Sequence, residues 1–160
     1  MTFRIHALPR ETFEPLFGLS DDQLAVRGVL RRRVDSSPGY PCRVSLADAE
    51  VGESVLLLNF EHQPAATPYR ACHAVYVREG AVQAQPAPGE VPQALARRLI
   101  SVRAFDARHM MVTADVCEGA TLAGMIERML EDRQVAYLHL HHARQGCYAA
   151  RAVRSADGVD

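Results

Sequence analysis

Leu122-Ala123-Gly124-Met125-Ile126-Glu127-Arg128-Met129-Leu130 is followed, after a short polar link, by Val135-Ala136-Tyr137-Leu138-His139-Leu140-His141. Leu122, Met125, Ile126, Met129 and Leu130 recur at the spacing of one helix face. In the second segment a period of two puts Ala136, Leu138 and Leu140 on one side and Tyr137, His139 and His141 on the other. An apolar helix stripe and an apolar strand face each need cover, and each can cover the other. The unit predicts an amphipathic helix near 121–131 packed on a sheet. It fits either a parallel crossover or a helix lying over an antiparallel sheet.

Neighbouring segments extend the pattern. Arg144-Gln145-Gly146 is a turn into a final strand from Cys147 to Val153, and residues 99–105 and 110–117 read as a hairpin around Asp106-Ala107-Arg108-His109. Val55 to Phe60 is the unbroken apolar run of a central strand, with further strands at Ala71–Val77, Val29–Val34 and around Phe3 and Ile5. Ser20 with Gln23 makes a capping box for a short helix, and Pro92 opens another helical turn. The expected fold is therefore α+β: a single domain over 1–153, with a mostly antiparallel or mixed sheet of five to seven strands and two to four short helices. Residues 154–160 are expected to be a flexible C-terminal tail.

Composition narrows the function classes. The chain has 160 residues, 48% hydrophobic and 23% charged, which suits one globular domain and excludes a disordered chain. Eighteen basic against 19 acidic residues, a net charge of −1, argue against a nucleic-acid partner. No apolar run approaches the ~20 residues of a membrane span, so no membrane partner is expected. Every basic residue is arginine, which removes Schiff-base lysine chemistry and a Walker-type phosphate loop. Guanidinium groups instead suit a small anionic ligand. Met1 to His6 lacks the apolar stretch of a signal peptide, and the four cysteines are widely spaced. A cytoplasmic location with reduced thiols is expected. The sequence assigns no cofactor and no oligomeric state.

The candidate catalytic residues are Cys42, His139 and His141. His139 and His141 share a strand face, and two adjacent imidazoles can hold a substrate, move a proton or share a metal. Cys42 sits in the turn Pro38-Gly39-Tyr40-Pro41-Cys42-Arg43, where a thiol is easier to expose than in a strand, so it should be alkylated faster than Cys72 and Cys117. Arg43, Tyr69, Arg70, Cys147 and Tyr148 are the candidate ligand-binding residues. Tyr69-Arg70 suits an anion, and Cys147-Tyr148 follows the histidine strand through a glycine turn. Glu61 and His62 should point to opposite faces, so that one of them joins a site. No residue is assigned to a metal, because two histidines are too few. Zinc would need further ligands from Cys42, His62, His73, Asp115 or Cys147. His139-Leu140-His141-His142-Ala143 also lacks the third alternating histidine of the histidine-triad nucleotide hydrolases.

A wider resemblance joins these phrases. Pro38 to Leu46, Glu61-His62-Gln63, Pro68-Tyr69-Arg70, Val77-Arg78-Glu79, Phe105-Asp106, Met110-Met111-Val112, Tyr137-Leu138-His139 and Gly146-Cys147-Tyr148-Ala149 together resemble the bacterial domain of unknown function 1203 family. The resemblance implies a single-domain bacterial protein and brings no catalytic role. His142 stands where that pattern has Asn, and Arg108-His109 stands where it has an Asp-Gly turn, so the hairpin lacks the glycine a tight turn uses. The reading that follows is a small cytoplasmic enzyme or small-ligand-binding protein with a polar Cys/His/Arg site. The alternatives are a non-catalytic interaction or structural domain with structural histidines, and a metal-binding protein.

Overall fold

Eight strands and three helices form over residues 2–155, which the computed structural model describes. The strands are β1 (Thr2–His6), β2 (Leu30–Arg33), β3 (Ser54–Gln63), β4 (Ala71–Arg78), β5 (Leu99–Phe105), β6 (Met111–Glu118), β7 (Tyr137–His142) and β8 (Tyr148–Ser155). The helices are α1 (Asp21–Ala25), α2 (Gln93–Ala96) and α3 (Leu122–Glu131). Antiparallel pairing gives a five-stranded sheet in the order β1-β8-β7-β5-β6 and a three-stranded sheet in the order β2-β3-β4. The fold is α+β, with its strands divided between two sheets.

The apolar stripe of α3 does what its spacing dictates. Leu122, Met125, Ile126, Met129 and Leu130 are buried in one cluster with Leu138, Leu140, Ile100, Val102, Phe3 and Ile5. Each such side chain removed from water contributes about 1.5–3 kcal/mol. Strands β6 and β7 are each antiparallel to β5 and lie on either side of it, so they run parallel to one another. Helix α3 spans that connection and lies over an antiparallel sheet. At its start the backbone of Gly119 lies against α2: a Cβ there would fall 2.1 Å from the Leu95 carbonyl oxygen, so no larger residue fits.

A second core belongs to the smaller sheet. Leu56, Leu58, Val75 and Val77 pack with Phe13, Leu24, Val29, Cys42 and Val44. The Ser20–Gln23 capping box forms as read, with Gln23 N–H donating to Ser20 Oγ and Ser20 N–H to Gln23 Oε1.

Two expectations are corrected. Arg154 and Ser155 lie in β8 and not in a flexible tail, because Arg154 satisfies carbonyls at the end of α3 and beyond it. Its guanidinium donates to Leu130 O at 2.6 and 2.9 Å, to Asp132 O at 2.7 Å and to Val135 O at 2.6 Å. The rest of that expected tail, residues 156–160, lies outside the described residues. The hairpin between β5 and β6 closes tightly without glycine. His109 takes the left-handed backbone (φ 64°) that the turn requires, and Asp106 Oδ1 accepts the N–H groups of Arg108 and Met110 at 2.8 and 2.9 Å.

Candidate functional site

The side of the five-stranded sheet away from α3 carries a ladder of polar groups. Register places Arg151 opposite His139, and His139 opposite Arg103, giving a cross-strand row Arg151–His139–Arg103. The next row is Tyr148–His141–Ser101. Tyr148 and Arg151 are three residues apart, so strict alternation would put them on opposite faces. Pairing of β7 with β8 shifts by one residue between Leu140 and His141, which places Ala149 in a bulge and brings both side chains to the histidine face.

A second bulge supplies the facing group. Strand β3 pairs Glu61 with Cys72 and Gln63 with Ala71, which leaves His62 as the extra residue. Glu61 remains exposed and pairs with Arg70 at 2.9 Å, while His62 and Gln63 both turn inward.

Four imidazoles from the two sheets meet here. The His62 ring lies 5.0 Å from His141, 5.5 Å from His139 and 4.7 Å from His73, centroid to centroid, and Tyr148 stacks on it at 4.9 Å. His139 and His141 are 4% and 1% exposed. Burial pushes the three pKa values down, to about 4 for His62, about 3 for His139 and about 2 for His141, and nearby positive charge adds to the effect. All three are therefore neutral near pH 7. His62 Nδ1, His139 Nδ1 and His141 Nε2 are buried without a hydrogen-bond partner. One nitrogen from each ring lies within 4.8 Å of the others.

Two of the three rings, His62 and His141, are held through the other nitrogen. His141 Nδ1 lies 3.0 Å from the Gly146 carbonyl oxygen, to which only an N–H can donate, so Nε2 carries the free lone pair. His73 Nδ1 lies 2.8 Å from His62 Nε2. Such contacts fix which nitrogen a ring presents.

His62 and His139 open onto a cavity of about 350 Å³, lined also by Gln63, His109, Tyr137 and Arg151. The Gln63 amide donates to Tyr137 Oη at 2.8 Å, and the same oxygen lies 2.8 Å from His109 Nδ1. The Arg151 guanidinium lies over the Tyr137 ring, 4.5 Å from its centroid. A second cavity of about 360 Å³ lies on the far side of His73 and is lined by Arg43, Cys147 and His142. Arg43 is 2% exposed, and its guanidinium donates to Tyr148 O at 2.8 Å, Pro41 O at 2.6 Å and Cys147 Sγ at 3.0 Å.

A family model described as a protein of unknown function, DUF1203, matches residues 39–154. The chain belongs to this family. The DUF1203 match spans every residue of the histidine cluster and of both cavity walls named above. No curated protein and no solved structure matches the chain.

Within this DUF1203 chain the residues singled out from sequence have different fates. His139, His141 and Tyr148 come together. Cys147 joins Arg43 in the second cavity. The expectation of an exposed Cys42 thiol is corrected: it is 1% exposed, and its Sγ accepts the backbone N–H of Ser45 at 3.4 Å and of Arg78 at 3.2 Å. Tyr69 packs edge-on against Phe105, and Arg70 is engaged by Glu61. Asp115 is exposed on β6, away from the histidines. In the sequence His62 and His73 stand only as further zinc ligands, outside the site. No sequence pattern marks Arg103 or Arg151.

Proposed function

We propose that the protein holds a first-row transition-metal dication, zinc foremost, on His62, His139 and His141, and uses the metal to bind or act on a small ligand in the adjoining cavity. The observation that carries this reading is the convergence of the three rings, one nitrogen of each lying within 4.8 Å of the others, in a cluster where each ring also has a buried nitrogen without a partner. A tetrahedral centre with Zn–N bonds of about 2.1 Å puts its donors roughly 3.4 Å apart, so binding would draw the nitrogens together from a grouping within 4.8 Å. Neutral imidazoles are the ligands such ions prefer. A buried polar atom without a partner is costly, and one shared ion would satisfy these three rings together.

Three protein ligands leave one position of a tetrahedral ion open, the arrangement of catalytic rather than structural sites. A metal bound there would supply Lewis acidity or an acidic water. The chain's own groups set the rest. His73 and Gly146 orient two of the rings, and the Gln63–Tyr137–His109 chain fixes the phenol at the cavity wall. We also infer a reducing, cytoplasmic setting, supported by the four free thiols.

The test is metal content of the full chain after zinc loading and gel filtration. The expected result is about one zinc per chain, lost in His139→Gln and in His62→Gln while the far-ultraviolet circular dichroism is retained. A folded wild type that takes up no zinc, cobalt or nickel overturns the reading, as do variants that bind as tightly as wild type.

A further inference from the structure

We propose that the cavity beside the histidines takes a small oxyanion, a carboxylate or phosphoryl group, which bridges the open metal position and the Arg151 guanidinium. This inference rests on the metal reading and names the ligand chemistry of that same site.

Charge accounting leads to it. Three imidazoles are neutral ligands, so a dication held by them keeps its full charge. His139 is flanked in its cross-strand row by Arg151 on β8 and Arg103 on β5. Among the described residues neither arginine has a carboxylate partner: Arg103 donates to Ser101 Oγ at 3.4 Å, and Arg151 lies over Tyr137. The nearby carboxylates are committed elsewhere. Glu61 pairs with Arg70 on the outer side of β3, and Asp106 Oδ1 is held by the N–H groups of its own turn. Among the described residues, positive charge thus gathers around the centre with no negative group to balance it. An anion from outside is what the electrostatics lack.

Position selects Arg151 as the second contact. Its side chain lines the same cavity as His62 and His139, whereas Arg103 does not. Packing over the Tyr137 ring restrains the guanidinium, so less freedom is lost when its planar fork meets two oxygens. The cavity, about 350 Å³, is of a size that admits a small organic acid or phosphate ester.

The experiment uses the full chain loaded with cobalt(II), titrated separately with sodium phosphate and sodium acetate at constant ionic strength. The metal's visible absorption and isothermal titration calorimetry report binding. Arg151→Gln is compared with Arg4→Gln, which removes an exposed arginine of β1. The expected result is a saturable spectral shift with at least one of the two anions, weakened about tenfold or more in Arg151→Gln and unchanged in Arg4→Gln, with metal content equal in all three proteins. The tighter anion names the class. Equal affinity in Arg151→Gln, or no saturable shift in a fully loaded wild type, overturns the bridge while leaving the metal reading intact. A wild type that loads no metal is seen at once in the metal assay and overturns both.

Discussion

His73 Nδ1 lies 2.8 Å from His62 Nε2, with the two ring planes 9° apart. The half-buried His73 therefore governs which nitrogen His62 turns toward His139 and His141. Replacing it by Phe keeps a flat ring and removes the contact. His73→Phe is expected to lower zinc affinity about ten- to a hundredfold without unfolding the protein. Competition against a chromophoric chelator measures this, and an unchanged affinity would mean that His62 needs no such partner.

The left-handed His109 gives a backbone test. A residue with a Cβ at φ 64° carries strain of about 1 kcal/mol that glycine lacks. His109→Ala loses the Tyr137 contact and keeps the strain, whereas His109→Gly loses the contact and releases it. In urea unfolding, the glycine variant should be the more stable of the two by about 1 kcal/mol. Equal stability would show that the turn is relaxed and that only the side chain matters.

Acid should destabilise the metal-free protein. His62, His139, His141 and His142 have folded pKa values of about 4, 3, 2 and 3, all below the ordinary 6.5. A lowered folded value means that the unfolded chain binds protons first, so this stability is fully present above pH 6.5 and is lost as pH falls toward the folded values. For each of the three most buried rings the loss approaches about 1.4 kcal/mol per pH unit within that window. Urea midpoints should therefore fall steadily from pH 7 to pH 4.5. A flat profile would mean that water reaches the imidazoles.

Thiol accessibility should follow burial rather than loop position. Cys72 is exposed and Cys117 and Cys147 are half-buried, whereas Cys42 is enclosed in the second core. Iodoacetamide should modify Cys72 first, and Cys42 only on unfolding. Burial also pushes the Cys117 thiol up, which slows it further. Peptide mass mapping over time gives the order, and early modification of Cys42 in folded protein would refute the packing assigned to its loop.

What the sequence made legible was periodic. The stripe from Leu122 to Leu130 and the alternation from Tyr137 to His141 specify their own faces, so the α3 core and the shared side of His139 and His141 could be read directly. The bulges could not be read. The inward turn of both His62 and Gln63, and of both Tyr148 and Arg151, depends on one extra residue in a strand, and period two assigns each pair to opposite sides. Contact between the sheets was equally hidden. His62 and His139 are 77 positions apart, and no local pattern ties the end of β3 to β7. Cys42 misled because a Pro-Gly turn suggests solvent, whereas its thiol completes the N–H groups of Ser45 and Arg78.

The three histidines are divided between two sheets that have separate apolar cores, His62 on one and His139 and His141 on the other. An ion held by all three would act as a rivet between the halves. Its binding free energy would then add to the seam and not to either core alone, since it favours only the state in which the halves are docked. Calorimetry should show this as cooperativity: one transition with zinc bound, and after chelation a broader or split one, with the β2-β3-β4 half melting first.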